Sequence, residues 1–280
     1  MQSNRRQFIR TVGLAIVTAA AGPLAAHGLP QNPPSHVVLV IMENHAASQI
    51  IGSADAPYIT SLAEEGAYFS RSFGVAHPSE PNYLALFSGT THGLTDDACP
   101  LTISGDNLAQ QLIDAGMTFV GYSEGLPSVG FTGCTAPGGY ARKHAPWANF
   151  PKLPAGIHQP FAAFPQADFS QLPTVAIVVP NLGHDMHDGS VADGDTWLKA
   201  SIDPYVEWSK THDGLLIVTW DEDDTEHGNR IPTIFHGPMV KPGIYTQHIT
   251  HYDVLRTIES LYKLPHAGKA ASAKDITQVW

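Results

Sequence analysis

Three continuous apolar runs, each rich in β-branched residues, constrain the fold of this 280-residue chain more than any other feature. The runs are Val37–Met42, Val175–Val179 and Leu215–Trp220. Runs of this kind are typical of strands that are buried on both faces of a parallel sheet. Helical patterns alternate with them at residues 58–65, 83–88, 108–115, 197–210 and 252–262. The alternation predicts an α/β fold with a mostly parallel central sheet and helices on both of its faces.

The first 26 residues have the layout of an export signal. Arg5, Arg6 and Arg10 precede an apolar stretch at 12–21 and small residues at 23–26, and no acidic residue interrupts them. Residues 4–10 resemble the twin-arginine signal, which a dedicated export machinery reads. The alternative, a membrane-spanning helix, needs about 20 apolar residues, and this stretch is shorter. We therefore expect removal of residues 1–26, a single domain at 27–280 without a transmembrane segment, and a periplasmic or secreted product.

The charge of residues 27–280 limits the partners of this domain. Without the three arginines of the leader, 12 basic residues remain against 26 acidic ones. Such an excess of negative charge argues against nucleic acid and anionic membranes as general partners. An anionic substrate would have to be held by local positive charge.

The chain has two cysteines, Cys99 and Cys134. In an oxidising compartment outside the cytoplasm such a pair forms a disulfide, and the alternative is two buried thiols. Closing a loop of this length would stabilise the fold by about 3 to 4 kcal/mol in the chain-entropy model.

Acidic and amide side chains follow two of the apolar runs. Glu43 and Asn44 come after Val37–Met42, and Asp221 and Glu222 come after Leu215–Trp220. The carboxyl ends of the strands are where open α/β sheets bind their ligands, and oxygen-rich sets suit hard divalent cations. Either pair alone would more often be an ordinary polar strand end, so the hypothesis of a metal site needs further residues.

Ser79 lies between a strand predicted at residues 68–73 and the start of a predicted helix. At a helix N-terminus the free amides and the helix dipole favour an anion. A serine there becomes a nucleophile when a cation stabilises its alkoxide. The alternative is that Ser79 serves only as a helix cap.

Two further segments carry groups suited to proton transfer. Residues 180–189 follow the second apolar run and contain two histidines next to carboxylates. Histidine beside carboxylate suits proton transfer or metal binding. Residues 126–166 are rich in proline and glycine and include Lys143 and His144. A long segment of this kind is either disordered or functional, and we expect an ordered flap beside the site.

Taken together, these motifs resemble the phosphoesterase family. The resemblance rests on MENH, HPSEPNYLALFSGT, PNLGHDMHDG, VTWDEDD and THYDVLRTIESLYKLP, which occur in this order between residues 37 and 265. The family comprises bacterial acid phosphatases, phosphatidylinositol phosphate phosphatases and bacterial phospholipases C, within the alkaline phosphatase superfamily. The resemblance implies an alkaline-phosphatase-like fold.

The resemblance also implies roles for individual residues. One divalent cation (Mg²⁺, Ca²⁺, Mn²⁺ or Zn²⁺) would be bound by an oxygen set that comprises Glu43, Asn44, Ser79, Asp221 and Glu222. Ser79 would also be the nucleophile, and His187 or His144 would contact the phosphate or protonate the leaving oxygen. Candidate substrate-binding residues are His77, Lys143 and Asp188, and His251 would support the site from behind. The general acid stays open among His77, His144, His184, His187 and His227.

The function implied by this resemblance is that of a metal-dependent acid phosphatase that hydrolyses phosphate monoesters through a phosphoserine. Residues 223–227 depart from the histidine and glycines typical of the phospholipase branch, which favours the acid phosphatases. Because imidazoles are charged mainly below about pH 6.5, we expect an acidic optimum. The alternatives are a phosphodiesterase of the phospholipase C type, acting on a phospholipid headgroup, and a periplasmic protein that binds phosphate or metal without turnover.

Overall fold

The computed structural model describes residues 28–280, and the predicted export signal at 1–26 lies outside the described residues. The strands in chain order are β1 (Val37–Met42), β2 (Ala67–Phe69), β3 (Ser72–Phe73), β4 (Phe119–Ser123), β5 (Thr135–Ala136), β6 (Tyr140–Ala141), β7 (His158–Pro160), β8 (Val175–Val179), β9 (Leu215–Trp220), β10 (Arg230–Ile231), β11 (Thr233–His236), β12 (Gly243–Tyr245) and β13 (Ile249–Thr250). Eight of them form one sheet in the order β12-β2-β11-β9-β1-β8-β4-β7.

The three apolar runs form the centre of this sheet, as predicted. β1 pairs in parallel with β8 on one side and β9 on the other, and every residue of the three strands is buried. Of the eight strands only β11 runs antiparallel to its neighbours, β9 and β2. The carboxyl ends of β1, β8 and β9 therefore meet at the same edge of the sheet.

Helices cover both faces of the sheet. They are α1 (Ala47–Ile50), α2 (Pro57–Glu65), α3 (Ser79–Ser88), α4 (Leu108–Asp114), α5 (Val191–Ser209) and α6 (His251–Leu261). Alternate residues of a strand point to opposite faces. Thus Leu39 of β1 packs in one core with residues of α3, α4 and α6, whereas Val40 packs in a second core with residues of α1, α2 and α5. The predicted fold class is confirmed.

Two predicted elements differ from the structure. The single strand expected at 68–73 is wrong, because β2 belongs to the large sheet while β3 pairs with β10 and β13 in a separate small sheet. The helix expected from residue 197 begins at Val191. Ser190 Oγ accepts a hydrogen bond from the Asp193 amide, and the Asp193 carboxylate accepts one from Ser190 in return. This capping box begins the helix before its apolar pattern becomes visible.

Residues 126–166 are ordered. They contain the β5–β6 hairpin and β7, which pairs with β4 at one edge of the large sheet. The Arg142 guanidinium anchors the segment by donating hydrogen bonds to the Thr132, Leu101 and Ala148 carbonyls. Cys99 and Cys134 form a disulfide with Cα atoms 5.8 Å apart, as predicted. Short 3-10 turns complete the segment at Arg142–His144, Pro146–Asn149, Ala155–Ile157 and Phe161–Ala163.

Within residues 28–280, every helix is either too short or too polar to cross a membrane.

Candidate active site

Ser79 and carboxylates from two strand ends converge at the carboxyl edge of the sheet. The Ser79 hydroxyl donates to Glu43 Oε2 at 3.0 Å and to Glu222 Oε1 at 3.2 Å. It is the first residue of α3, after the capping position at Pro78, so its side chain is not the helix cap. The backbone amide of Asn44 donates to Asp221 Oδ1 at 3.1 Å, and this hydrogen bond joins the ends of β1 and β9. Segments far apart in sequence thus form one cluster of oxygen atoms.

The carboxylates of this cluster are buried close together. Burial, followed by repulsion from Asp221 and Asp185, raises the pKa of Glu43 well above its usual value. Burial and the Glu222 charge raise the pKa of Asp221 well above its ordinary range, and burial raises the pKa of Glu222 to about 7. Asp221 Oδ2 is buried and has no hydrogen-bond partner in the described part of the chain. A positive charge placed among these oxygens would relieve their repulsion.

Glu43 is also held from its buried side. Tyr83 Oη donates to Glu43 Oε1 at 2.5 Å, and His144 Nε2 lies 3.2 Å from the same oxygen. The Tyr83 and His144 rings stack with their centroids 5.0 Å apart. His144 Nδ1 lies 3.2 Å from Asp185 Oδ2, so the imidazole is fixed between two buried carboxylates. Burial, with the charges of Lys143 and His187, lowers the pKa of His144 well below its ordinary value.

Sequence reasoning gave Tyr83 and Asp185 no role in the site. Tyr83 lies four residues after Ser79, a spacing that puts both side chains on one face of a helix, and this signal could have identified it. Asp185 follows His184 in the segment at 180–189, where histidine beside carboxylate indicated proton transfer or metal binding, but this adjacency does not predict a contact with His144. Burial raises the pKa of Asp185 to about 7. Its contact with His144 depends on the path of residues 180–189, which only the fold provides.

The accessible side of the site carries His187 and Lys143. His187 Nδ1 lies 2.7 Å from Asp188 Oδ1, and its Nε2 lies 3.2 Å from Lys143 Nζ. The His187 side chain is 28% exposed, whereas that of His144 is 2% exposed. Asp188, predicted to bind substrate, is largely exposed and directs its carboxylate to His187. Glu43, His144 and His187 each offer one atom that could bind a metal ion, and these three atoms lie within 4.8 Å of one another.

The remaining predicted histidines occupy different surroundings. His77 Nδ1 lies 2.5 Å from Glu222 Oε2, at the edge of the site. His251 is buried, and its Nε2 lies 2.6 Å from the Asp221 carbonyl, which agrees with a supporting position. His184 pairs with Glu124 at 2.9 Å. His227 is exposed and pairs with Asp224 at 2.7 Å. The structure therefore brings His77, His144 and His187 to the site, while His184 and His227 contact other carboxylates.

Comparison with known proteins identifies the family of this chain. The model of the Phosphoesterase family matches residues 53–265. A phosphatidylinositol-3-phosphatase of Mycobacterium tuberculosis is 50% identical over 259 residues, which cover 92% of this chain and 86% of that protein. A phosphate-repressible acid phosphatase of Penicillium chrysogenum is 26% identical over 233 residues, or 75% of this chain and 55% of that longer protein.

A solved structure gives the same architecture. A protein of the alkaline phosphatase superfamily from Vibrio parahaemolyticus matches 90% of this chain and 73% of its own chain, with a TM-score of 0.60 and 13% identity. At that identity the likeness concerns the fold alone, and it confirms the predicted alkaline-phosphatase-like architecture. The family match covers most of the sequence and includes Ser79, Lys143, His144, His187 and Asp221. The chain belongs to the Phosphoesterase family and is an acid-phosphatase-like phosphoric ester hydrolase.

Proposed function

We propose that the chain hydrolyses phosphate monoesters in a metal-dependent reaction, with Ser79 as the nucleophile and a phosphoserine as the intermediate. One observation carries the proposal: the Ser79 hydroxyl lies between Glu43 and Glu222 at the first turn of α3. A hydroxyl among carboxylates is a poor anion site by itself. It becomes a good nucleophile where a cation balances those carboxylates.

The donor set fits one hard divalent cation. Oxygen atoms are offered by Glu43, Asn44, Ser79, Asp221 and Glu222. The buried Asp221 oxygen without a partner among residues 28–280 and the raised pKa values of Glu43 and Asp221 favour a bound positive charge. When bound, the cation would stabilise the Ser79 alkoxide and neutralise phosphate oxygens. We propose Mg²⁺, Ca²⁺, Mn²⁺ or Zn²⁺ as its identity.

The protein's own groups would divide the reaction as follows. The Lys143 ammonium, beside the first turn of α3, binds the phosphate oxygens. The Ser79 hydroxyl gives its proton to Glu222, to which it already donates a hydrogen bond. As the bond between Ser79 Oγ and phosphorus forms, the ester P–O bond breaks, and the leaving alkoxide takes a proton from His187. Water then attacks the phosphoserine and gives a proton to His187, phosphate is released, and Ser79 Oγ takes its proton back from Glu222.

We assign the general acid to His187 on geometric grounds. Its imidazole is partly exposed, oriented by Asp188 and 3.2 Å from Lys143. His144 is enclosed between Glu43 and Asp185, which suits the orientation of Glu43. Of these two imidazoles, the one that an incoming substrate reaches directly is that of His187, whereas His77, the third histidine of the site, pairs with Glu222.

The relatives support a substrate class for this proposal. The M. tuberculosis relative is a phosphatidylinositol-3-phosphatase, which supports a phosphorylated inositol headgroup as substrate, and the Penicillium relative supports small phosphate monoesters. In both cases the phosphate that is removed is a monoester, whereas a phospholipase C cleaves a diester. A panel of matched mono- and diesters, which includes a short-chain phosphatidylinositol 3-phosphate, distinguishes the two reactions. We expect monoester turnover to exceed diester turnover.

Metal dependence and the role of Ser79 can be tested together. We expect chelation to abolish phosphate release and one of the four cations to restore it. Ser79→Ala should lose activity at every metal concentration, whereas Ser128→Ala, an exposed serine of residues 126–166, should keep it. The alternative of a binding protein predicts that no phosphate is released by the wild type.

We also propose export through the twin-arginine machinery, with a periplasmic or secreted product. The supporting observation is the paired Arg5 and Arg6 before the apolar stretch. Replacing both with lysine should leave the protein in the cytoplasmic fraction of the native host. Unchanged export of that variant would argue against this route.

A further inference from the structure

Asp97 connects the first turn of α3 with the Arg142–His144 turn at the site. Its Oδ1 accepts a hydrogen bond from the Glu80 amide at 2.9 Å, in the first turn of α3 next to Ser79. Its Oδ2 lies 2.8 Å from Lys143 Nζ, in the Arg142–His144 turn. Both partners of this ion pair are largely withdrawn from solvent, with 20% of Lys143 and 25% of Asp97 exposed. One carboxylate thus fixes a backbone amide and an ammonium group at the same time.

The contact determines where the Lys143 charge lies. A lysine side chain has four flexible methylene groups, and an ion pair of this geometry holds its end in one place. Lys143 Nζ is thereby kept 3.2 Å from His187 Nε2, between the imidazole and the Asp97 carboxylate. Without Asp97 the ammonium would be free to move toward solvent or toward another carboxylate.

The disulfide links the two segments in which Asp97 and Lys143 lie. Cys99 lies two residues after Asp97 and is bonded to Cys134. The Cys134 carbonyl accepts a hydrogen bond from the Arg142 amide, one residue before Lys143. The segments that carry Asp97 and Lys143 are therefore linked covalently as well as by charge.

We propose that Asp97 is a positioning residue for phosphate binding: it directs Lys143 to the phosphate oxygens and fixes the Glu80 amide beside Ser79. The proposal rests on the proposed function, since it assumes that phosphate binds beside Ser79. Asp97 itself does not touch the substrate. Its removal therefore affects the binding of phosphate more than the chemistry that follows.

The test compares Asp97→Asn with Asp96→Asn. Asp96 is exposed and adjacent, so the control makes the same change of charge without these two contacts. We expect Asp97→Asn to raise KM for a monoester and the inhibition constant of inorganic phosphate about tenfold, as expected for one charge-assisted hydrogen bond, with kcat changed by less than about threefold. The Asp96→Asn constants should stay within about twofold of wild type.

A thermodynamic cycle with Lys143→Met tests whether Asp97 acts through Lys143. If it does, the inhibition constant of phosphate for the double variant Asp97→Asn/Lys143→Met equals that for Lys143→Met alone. Additive losses, or unchanged constants in Asp97→Asn, would overturn the proposal. If Asp97→Asn does not fold, Asp97→Ser keeps an acceptor for the helix amide and serves in the same cycle.

The outcomes separate this proposal from the proposed function. If the wild type releases no phosphate from any ester, the proposed function fails, and calorimetry with inorganic phosphate still compares the variants. Tighter binding of phosphate by wild type than by Asp97→Asn would support the positioning role even then. Equal binding, or no binding by wild type, would overturn it.

Discussion

At the scale of single residues, Glu43 links Ser79 to the buried side of the site. One of its oxygens accepts from Ser79, and the other accepts from Tyr83 and lies next to His144. The second oxygen therefore fixes the direction in which the first one points. The orientation of the carboxylate should matter for metal affinity as much as its charge does.

Replacing Tyr83 with phenylalanine tests this orientation. The ring still stacks on His144, but a buried oxygen of Glu43 loses its donor. We expect the metal concentration for half-maximal activity to rise about tenfold, the range given for partners that orient a metal ligand. A metal titration of phosphate release measures this, with Tyr252→Phe as the control. An unchanged titration midpoint would show that the Tyr83 hydroxyl does not orient Glu43.

The proposed role of His187 predicts a dependence on the leaving group. A poor leaving group such as an alkoxide needs a proton, whereas nitrophenolate leaves without one. We expect His187→Gln to lower kcat about a hundredfold for an alkyl phosphate and much less for nitrophenyl phosphate. His212→Gln serves as the control, because His212 is exposed to solvent. Equal losses on both substrates would remove His187 from the role of general acid.

At the scale of elements, the Cys99–Cys134 bond links the segments that carry Asp97 and Lys143. It closes a loop across 35 positions of the sequence. We expect the double variant Cys99→Ser/Cys134→Ser to lose about 3 kcal/mol of unfolding free energy and to bind phosphate more weakly. Denaturant unfolding under non-reducing conditions measures the first effect, and inhibition by phosphate measures the second.

The same variant provides its own control. In a reducing agent the wild type should approach the stability of the double variant, whereas the variant should not change. Identical unfolding curves for the oxidised wild type and the variant would contradict the stabilising role of the disulfide.

The elements differ in how far the sequence predicts them. The bounds of β1, β8 and β9 follow from continuous apolar runs, because burial on both faces leaves a distinctive composition. The separation of β2 from β3 could not be predicted, since an apolar segment does not reveal the sheet in which its residues pair. The early start of α5 was not predicted, because the capping box at Ser190 begins the helix before its apolar pattern appears.

The site was predictable to a similar degree. The oxygen donors and Ser79 lie in motifs that follow strands, so their types and positions indicated their chemistry. Asp97 and Asp185 depend on contacts across the fold with Lys143 and His144, which no spacing in the sequence predicts. The proposal of His187 among the five histidines likewise rests on the structure, because the exposure and contacts of an imidazole do not follow from its position in the sequence.

At the scale of the whole molecule, buried carboxylates make stability depend on pH. Glu259, far in sequence from the site and fully buried, accepts from the Ala267 amide, and burial raises its pKa to about 7. A carboxyl group whose pKa is raised on folding contributes stability below its unfolded pKa of about 4.5, and the contribution is lost as pH rises through about 7.

Glu259→Gln should therefore weaken the decline in stability between pH 5 and 8 by at most about 3 kcal/mol. Unfolding curves in denaturant at a series of pH values measure the effect, with the exposed Glu226→Gln as the control. A variant whose stability falls with pH as steeply as that of the wild type would contradict the raised pKa.

The central claim is that Ser79 forms a covalent bond to phosphorus during turnover. The most direct measurement is mass spectrometry of the protein after rapid acid quenching during hydrolysis of a monoester. The account predicts one added phosphoryl group on the peptide that contains Ser79, and none in Ser79→Ala. A phosphoryl group on another residue, or full turnover by Ser79→Ala, would contradict it.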